Sequence, residues 1–397
     1  MKMGDTVLSV AVRTALCLTA GLTAGLTAVL LVACTGTGDK AKPAELAVNA
    51  PKLGVRLAWV VNVGAVNFPL DIAATSLNTA SNVTFTVANS DGFVTTVDAA
   101  NGREVWRAQA GKQLAAGVGA GVSAEAGFAA VVTTSNELVT FSNGREVWRQ
   151  KLGNASYTAP LVASGKVFVL GADRAISAFE LVDGKKLWSQ KKSAEALTLR
   201  QSGVLLMVSD TLVSSASGRL LGINPLDGNV RWSTPIATAR GTNEIERLVD
   251  LVGRVSNNSE IVCARAYRVS VGCVNTLRGN MLWTKLAVGQ EGVQGDARTL
   301  FGTEADGKVI AWNRLNGERL WQTEHLLNRN LSAPAVLDKA IAVGDGTGLV
   351  HFLSKTDGTP LNRVTTDGSA MAAAPVLVGN TLVVVTRNGG IFGFVAE

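Results

Sequence analysis

The heptapeptide NGREVWR occupies Asn101–Arg107 and recurs, letter for letter, at Asn143–Arg149. Looser spellings follow as DGKKLWS at 183–189, DGNVRWS at 227–233, RGNMLWT at 278–284 and NGERLWQ at 316–322. A degenerate DGTPLNR stands at 357–363, and GVRLAWV at 54–60 keeps the strand without the turn. The aligned column reads Trp59, Trp106, Trp148, Trp188, Trp232, Trp283 and Trp321, with Asn362 in the eighth place, at intervals of 38 to 51 residues. A period of this size marks either propeller blades or helical repeats, and the intervening residues decide between them. Between Lys151 and Trp188 they are YTAPLVAS, GKVFVLGA, RAISAFELV and KKLWSQ, four short β-rich runs separated by turn residues. Four strands per period predicts a propeller blade.

Each part of the motif has a physical task. Asp or Asn followed by Gly tolerates the positive φ of a tight turn, so it joins the third strand of a blade to the fourth. The Trp on that fourth strand offers a large apolar surface to neighbouring blades. After the eighth motif the chain supplies AAAPVLVG, NTLVVVTR and GGIFGFVAE and then ends, whereas Trp59 has no room for three strands before it. The amino-terminal strand is therefore expected to complete the carboxy-terminal blade, which removes two sheet edges. The expected fold is all-β: an eight-bladed propeller of four-stranded blades formed by residues 52–397. Composition agrees, with 47% hydrophobic residues, 17% charged residues and 42 glycines, which favours strands and tight turns over long amphipathic helices. The net charge of +6 is mild and spread along the chain. With no basic stripe interleaved with aromatics, a nucleic-acid partner is not expected.

Lys2 and Arg13 precede an uncharged run from Thr14 to Ala33, which closes as Leu31-Val32-Ala33-Cys34. Small residues before a Cys at the end of an apolar segment resemble a bacterial lipoprotein signal, in which the thiol carries the diacylglycerol. The alternative is an uncleaved membrane anchor, since 20 apolar residues can span a bilayer. The lipoprotein reading makes 1–33 a signal peptide and 34–51 a lipidated Cys34 with a flexible tether. Thr35 stands where Asp would retain such a lipoprotein at the inner membrane, so the expected location is the outer membrane, lipid-anchored and facing the periplasm.

A lipobox followed by this eight-fold repeat resembles the BamB family of outer-membrane assembly lipoproteins, within the wider class of PQQ-like-repeat propellers. The stretches at 241–251 (GTNEIERLVDL), 326–334 (LLNRNLSAP) and 343–358 (VGDGTGLVHFLSKTDG) are particular to that resemblance. It implies a non-catalytic scaffold that binds a periplasmic POTRA domain of the outer-membrane barrel insertase; the sequence leaves open whether nascent outer-membrane proteins are contacted as well, by strand addition to a blade edge. It also implies binding residues: a Leu-x-Leu-Arg segment matched by Leu197, Leu199 and Arg200, and an acidic segment matched by Asp250, with Val252 where the family often has a second Asp. Taken from the residues alone, the two leucines are equally readable as first-strand core. A periplasmic quinone-dependent or sugar-processing propeller enzyme is the competing reading. Neither adjacent cysteines nor a carboxylate cluster supports it, and no cofactor is implied.

Cys263 and Cys273 flank a hairpin turning near Arg268, which places them opposite each other either as a disulfide or as buried thiols. His325 and His351, the two histidines, lie on different blades without metal-ligand spacing. The glycine-rich 117–127 lacks the spacing of a phosphate loop and reads as a pliable first strand and loop.

Overall fold

The structure, a computed structural model, describes residues 41–76, 83–111, 113–123, 126–190, 198–238 and 249–397. The chain divides into Met1–Lys42 and Pro43–Glu397. Of the first unit only Ala41 and Lys42 are described, so the signal-like segment and Cys34 lie outside the described residues.

Residues 55–396 form eight antiparallel sheets of four strands, and no helix occurs among the described residues. Blades 1 to 7 are continuous in sequence at 73–109, 119–151, 161–190, 205–235, 251–286, 293–323 and 335–365. Blade 8 takes its three inner strands from the carboxy terminus and its outer strand, Val55–Asn62, from the amino terminus. That strand pairs along its whole length with Gly390–Ala396, so both ends of the chain close the ring. The middle strands of each blade are buried nearly throughout, as in VTFTVA at 83–88 and AIAVG at 340–344, because neighbouring blades cover both their faces. Hence the strict apolar-polar alternation of a one-sided sheet is missing.

The recurring heptapeptide is an inter-blade joint. In every blade a β-bulge interrupts the pairing of the fourth strand beside the aligned position, as between Thr96 and Val97 opposite Trp106. The bulge exposes the preceding aliphatic residue, Val105 or Val147 for example, and turns the Trp toward the next blade. There the indole lies on the turn glycine: a Cβ on Gly102 would come within 2.7 Å of Trp59, and one on Gly184 within 2.5 Å of Trp148. These glycines also sit at φ +74° and +71°, so backbone conformation and close approach both demand Gly. The indole N–H then donates to a carbonyl of the same turn, from Trp59 to Ala99 at 3.0 Å and from Trp148 to Leu181 at 2.7 Å. Gly and Trp of a single motif thus belong to two different joints.

The two identical heptapeptides form different turns. At Asn143-Gly144 both residues have positive φ (47° and 80°) and Ser142 pairs directly with Arg145, a two-residue hairpin. At Asn101-Gly102 only the glycine does, and the turn is longer, with Asp98 accepting from Ala100 N–H through its carboxylate and from Gly102 N–H through its carbonyl. The residues ahead of the motif, DAA in one case and FS in the other, set the turn length. The expectation of a tight hairpin therefore holds for the second copy and not for the first.

Asn362, where the Trp column fails, has a role the repeat does not require. A Trp there would face a third-to-fourth-strand turn in blade 8, but the chain ends occupy that place. Instead Asn362 Nδ2 donates to the Leu53 carbonyl at 2.8 Å, and its Oδ1 accepts from Asn49 Nδ2 at 3.1 Å. The segment leading into blade 8 continues this contact: Ala44 N–H donates to Leu327 O, Lys52 N–H to Leu361 O, and Arg329 to Ala44 O. Leu46 packs among Leu326, Leu331 and Trp321. The stretch read as a tether, 34–51, is bound to the propeller over its second half. Asn362→Leu removes both of these part-buried hydrogen bonds, to Leu53 and Asn49, at a cost of about 0.5–1.5 kcal/mol each. Trypsin cleavage at Lys52 under native conditions is the measurement, and it should accelerate relative to wild type.

Candidate docking face

Loops joining the fourth strand of one blade to the first of the next share a ring face with the loops joining second to third strands. On this face Leu199 meets the carboxylate of Asp250, with Arg200 as the next residue of the same loop. Asp250 Oδ1 accepts from Arg174 Nη2 at 2.9 Å, and Oδ2 accepts from the Leu199 backbone N–H at 2.8 Å. Arg174 sits at φ 60° in the second-to-third-strand turn of blade 3 and reaches blade 4 by donating to Ser217 Oγ at 2.7 Å. The Asp250 carbonyl accepts from Tyr267 N–H in blade 5. With 7% and 17% of their side chains exposed, Arg174 and Asp250 form a largely buried ion pair that ties three blades together. Both carboxylate oxygens of Asp250 are thus engaged internally, and they brace the Leu199 loop.

Arg200, one residue beyond the braced Leu199, is exposed and lies over the Tyr157 ring with its guanidinium carbon 5.5 Å from the centroid. Stacking of this kind holds a long cation in one direction while leaving its donors outward. Leu199 is half-buried; Leu197 lies outside the described residues. Val252 is 2% exposed, so this chain offers no side chain to a partner at the position where a second Asp would stand. Arg174, Tyr157 and Ser217 were not found by sequence reasoning, because nothing marks a lone turn residue as the partner of a carboxylate 76 positions away.

Inside the ring a cavity of about 680 Å³ is bridged from side to side. A bulge between Val252 and Ser256 pushes Arg254 inward at φ 61°. Its guanidinium crosses to blade 8 and donates to the Ala374 and Pro375 carbonyls at 2.9 and 2.6 Å. Ser202 Oγ reaches Asp71 Oδ2 of blade 1 at 3.2 Å, and Ser202 O accepts from Gly253 N–H. Burial pushes the Asp71 carboxyl above its ordinary range, against the pull of Arg254 and the Ser202 hydrogen bond. Burial likewise lowers the Arg254 guanidinium and raises Glu291, which is open to the cavity but walled by protein. The loops that carry Arg200 and Asp250 are thereby tied to the far side of the ring.

Cys263 and Cys273 are directly paired across neighbouring strands and joined by a disulfide. His351 is buried against Asp345 at 2.9 Å, and His325 is exposed. Burial alone would raise the Asp345 carboxyl, but hydrogen bonds from His351, Leu349 N–H and Arg329 hold it far below the usual range. Among the described residues no group of His, Cys, Asp and Glu is arranged to hold a metal ion. Gly119 answers for the glycine-rich segment: a Cβ there would lie 1.7 Å from Pro160 O, so glycine lets the first strands of blades 2 and 3 pack together.

Comparison with known proteins places this architecture. The family model described as outer membrane protein assembly factor BamB matches residues 90–323. A relative of that name from Burkholderia pseudomallei (strain K96243) is 32% identical over 92% of this chain and 95% of its own. Another, from Bordetella pertussis, is 34% identical over 89% and 90% of the two chains. The crystal structure of BamB from Moraxella catarrhalis superposes with a TM-score of 0.75 at 22% identity, covering 86% of this chain and 99% of that one. A europium-containing methanol dehydrogenase also superposes, with a TM-score of 0.64 at 12% identity over 88% of this chain and 95% of the enzyme. At that distance the likeness is one of fold alone.

Proposed function

Since the chain belongs to the BamB family of outer membrane protein assembly factors, we propose that it is a non-catalytic scaffold of the outer-membrane β-barrel assembly machinery. It binds the periplasmic POTRA region of the barrel insertase and aids folding and insertion of outer-membrane proteins. In this reading residues 1–33 are a signal peptide, Cys34 carries the lipid that holds the protein on the outer membrane, and the propeller faces the periplasm. The observation that carries the docking site is Arg200, displayed on Tyr157 at the end of a loop that Asp250 pins. A fixed cation flanked by half-buried Leu199 is the arrangement that supplies register and a central anchor to an interface. Asp250 acts by holding that loop. An enzymatic reading draws only on the shared propeller fold.

Arg200→Glu tests the site. Because the side chain is exposed, the melting temperature should stay unchanged. Capture of the insertase from outer-membrane extract should fall by about tenfold or more, the scale of an interfacial charge reversal. Equal capture by wild type and variant would remove Arg200 from the site; failure of the wild type to capture the insertase would remove the function.

A further inference from the structure

Next to the Arg200 loop the same face carries a second cation-aromatic pair and, at the end of the last strand of blade 5, the highly exposed Leu286. The chain has two tyrosines, and both lie on this face under an arginine. Arg268 stacks on Tyr267 with its guanidinium carbon 5.6 Å from the ring centroid. The two pairs are physically joined. Gln201, adjacent to Arg200, donates to the Gln290 carbonyl at 3.0 Å. With the Gln290 amide turned so that its oxygen meets Arg268, that oxygen accepts from Arg268 Nε at 2.9 Å.

The loop following blade 5 completes the surface. Leu286 is 88% exposed and Val288 55% exposed, values that a soluble loop has no folding reason to adopt for two aliphatics so close together. Their backbone is nonetheless fixed: Leu286 pairs with Ser270, Gly289 O accepts from Arg268 N–H, and Val288 N–H donates to Glu304. Asp250 and Glu304 are already neutralised by Arg174 and Arg265. The cations exposed around this apolar tip are Arg200, Arg268 and Lys285, and Glu291 is the exposed carboxylate that follows it in the chain.

We propose that the docking face continues from Arg200 across blade 5, and that Arg268, Leu286 and Val288 form its second half. The occupant is a folded protein surface that places carboxylates beside an apolar centre, complementary in charge to the two arginines and in polarity to the two aliphatics. Tyr, Arg and exposed aliphatics held by a rigid frame are the side chains that anchor such contacts, since little conformational entropy is lost on binding. This proposal rests on the function proposed above and takes the insertase's periplasmic POTRA region as that partner.

The test compares four full-length, membrane-extracted proteins: wild type, Arg200→Glu, Arg268→Glu and Leu286→Ser, each titrated against the purified periplasmic region of the insertase. Both new substitutions are at exposed positions, and melting temperatures equal to wild type would show that folding is unaffected. The expected result is a loss of affinity of about tenfold or more for Arg268→Glu and several-fold for Leu286→Ser. Full affinity of Arg268→Glu and Leu286→Ser alongside a weakened Arg200→Glu would overturn the extended face and leave the original site standing. No binding by wild type would overturn both. Wild-type affinity for the insertase combined with lost binding to phosphatidylglycerol vesicles in the new variants would assign the surface to lipid and also overturn it.

Discussion

Glu304→Ala is expected to cost about 3–5 kcal/mol of stability, whereas replacing Glu304 by Leu and its partner Arg265 by Met together should cost little or nothing. The reason is the depth of the pair. Arg265 and Glu304 expose 0% and 4% of their side chains and meet at 2.8 Å. The guanidinium is only partly compensated, since Arg265 Nε and Nη2 are buried without hydrogen-bond partners. Removing the carboxylate alone leaves a buried cation with no other counter-ion at contact distance among the described residues, and removes the acceptor for Val288 N–H. Removing both charges relieves the desolvation that the pair never fully repays. Urea unfolding reads the difference as a large drop in midpoint for the single variant and a midpoint near wild type for the double one, with the slope unchanged. By contrast, Arg149 contacts Glu146 at 2.9 Å with 31% and 40% of the side chains exposed, and losing such a pair changes stability by less than about 1 kcal/mol. A Glu304→Ala protein as stable as wild type would show that the Arg265 charge is solvated or otherwise matched.

The features legible in sequence are those that a local rule repeats. A turn glycine and a bulged Trp satisfy one joint between neighbouring blades, so seven near-copies report the joint, its period and the number of blades. Closure through the termini was legible for the same reason, as three unmatched strands at one end met one unmatched strand at the other. What escaped depends on long-range partners. Nothing in DGTPLNR shows that Asn362 meets Leu53, 309 residues earlier in the chain, and so the strap beneath it read as tether. Identical letters at Asn101 and Asn143 could not show different turns, because the difference lies in the residues before them. At the candidate site the sequence shows Asp250 only as an acid in an interblade loop, because its two partners, Arg174 and the Leu199 N–H, stand 76 and 51 positions away.

A direct contact at Asp250 and an internal brace make opposite predictions when the ion pair with Arg174 is broken. If Asp250 contacted a partner directly, Arg174→Met would free the carboxylate and leave binding intact or improved. If Asp250 holds the loop, Arg174→Met and Asp250→Ala should both weaken binding, because each releases the Leu199–Arg200 segment. The structure favours the second outcome: both carboxylate oxygens are used internally, and the ion pair is largely buried. Asp250→Ala should cost about 2–3 kcal/mol, the scale of losing hydrogen bonds to a charged group, since Arg174 Nη2 and Leu199 N–H lose their acceptor together. Affinity for the insertase's periplasmic region should drop about tenfold or more as Arg200 loses its fixed direction over Tyr157. The decisive measurement is hydrogen exchange at the Leu199 amide. In both variants it should speed up in step with the lost affinity, while in Arg200→Glu affinity should fall with that amide still protected. Slow exchange at Leu199 in an Asp250→Ala protein that no longer binds would return Asp250 to the interface as a direct contact.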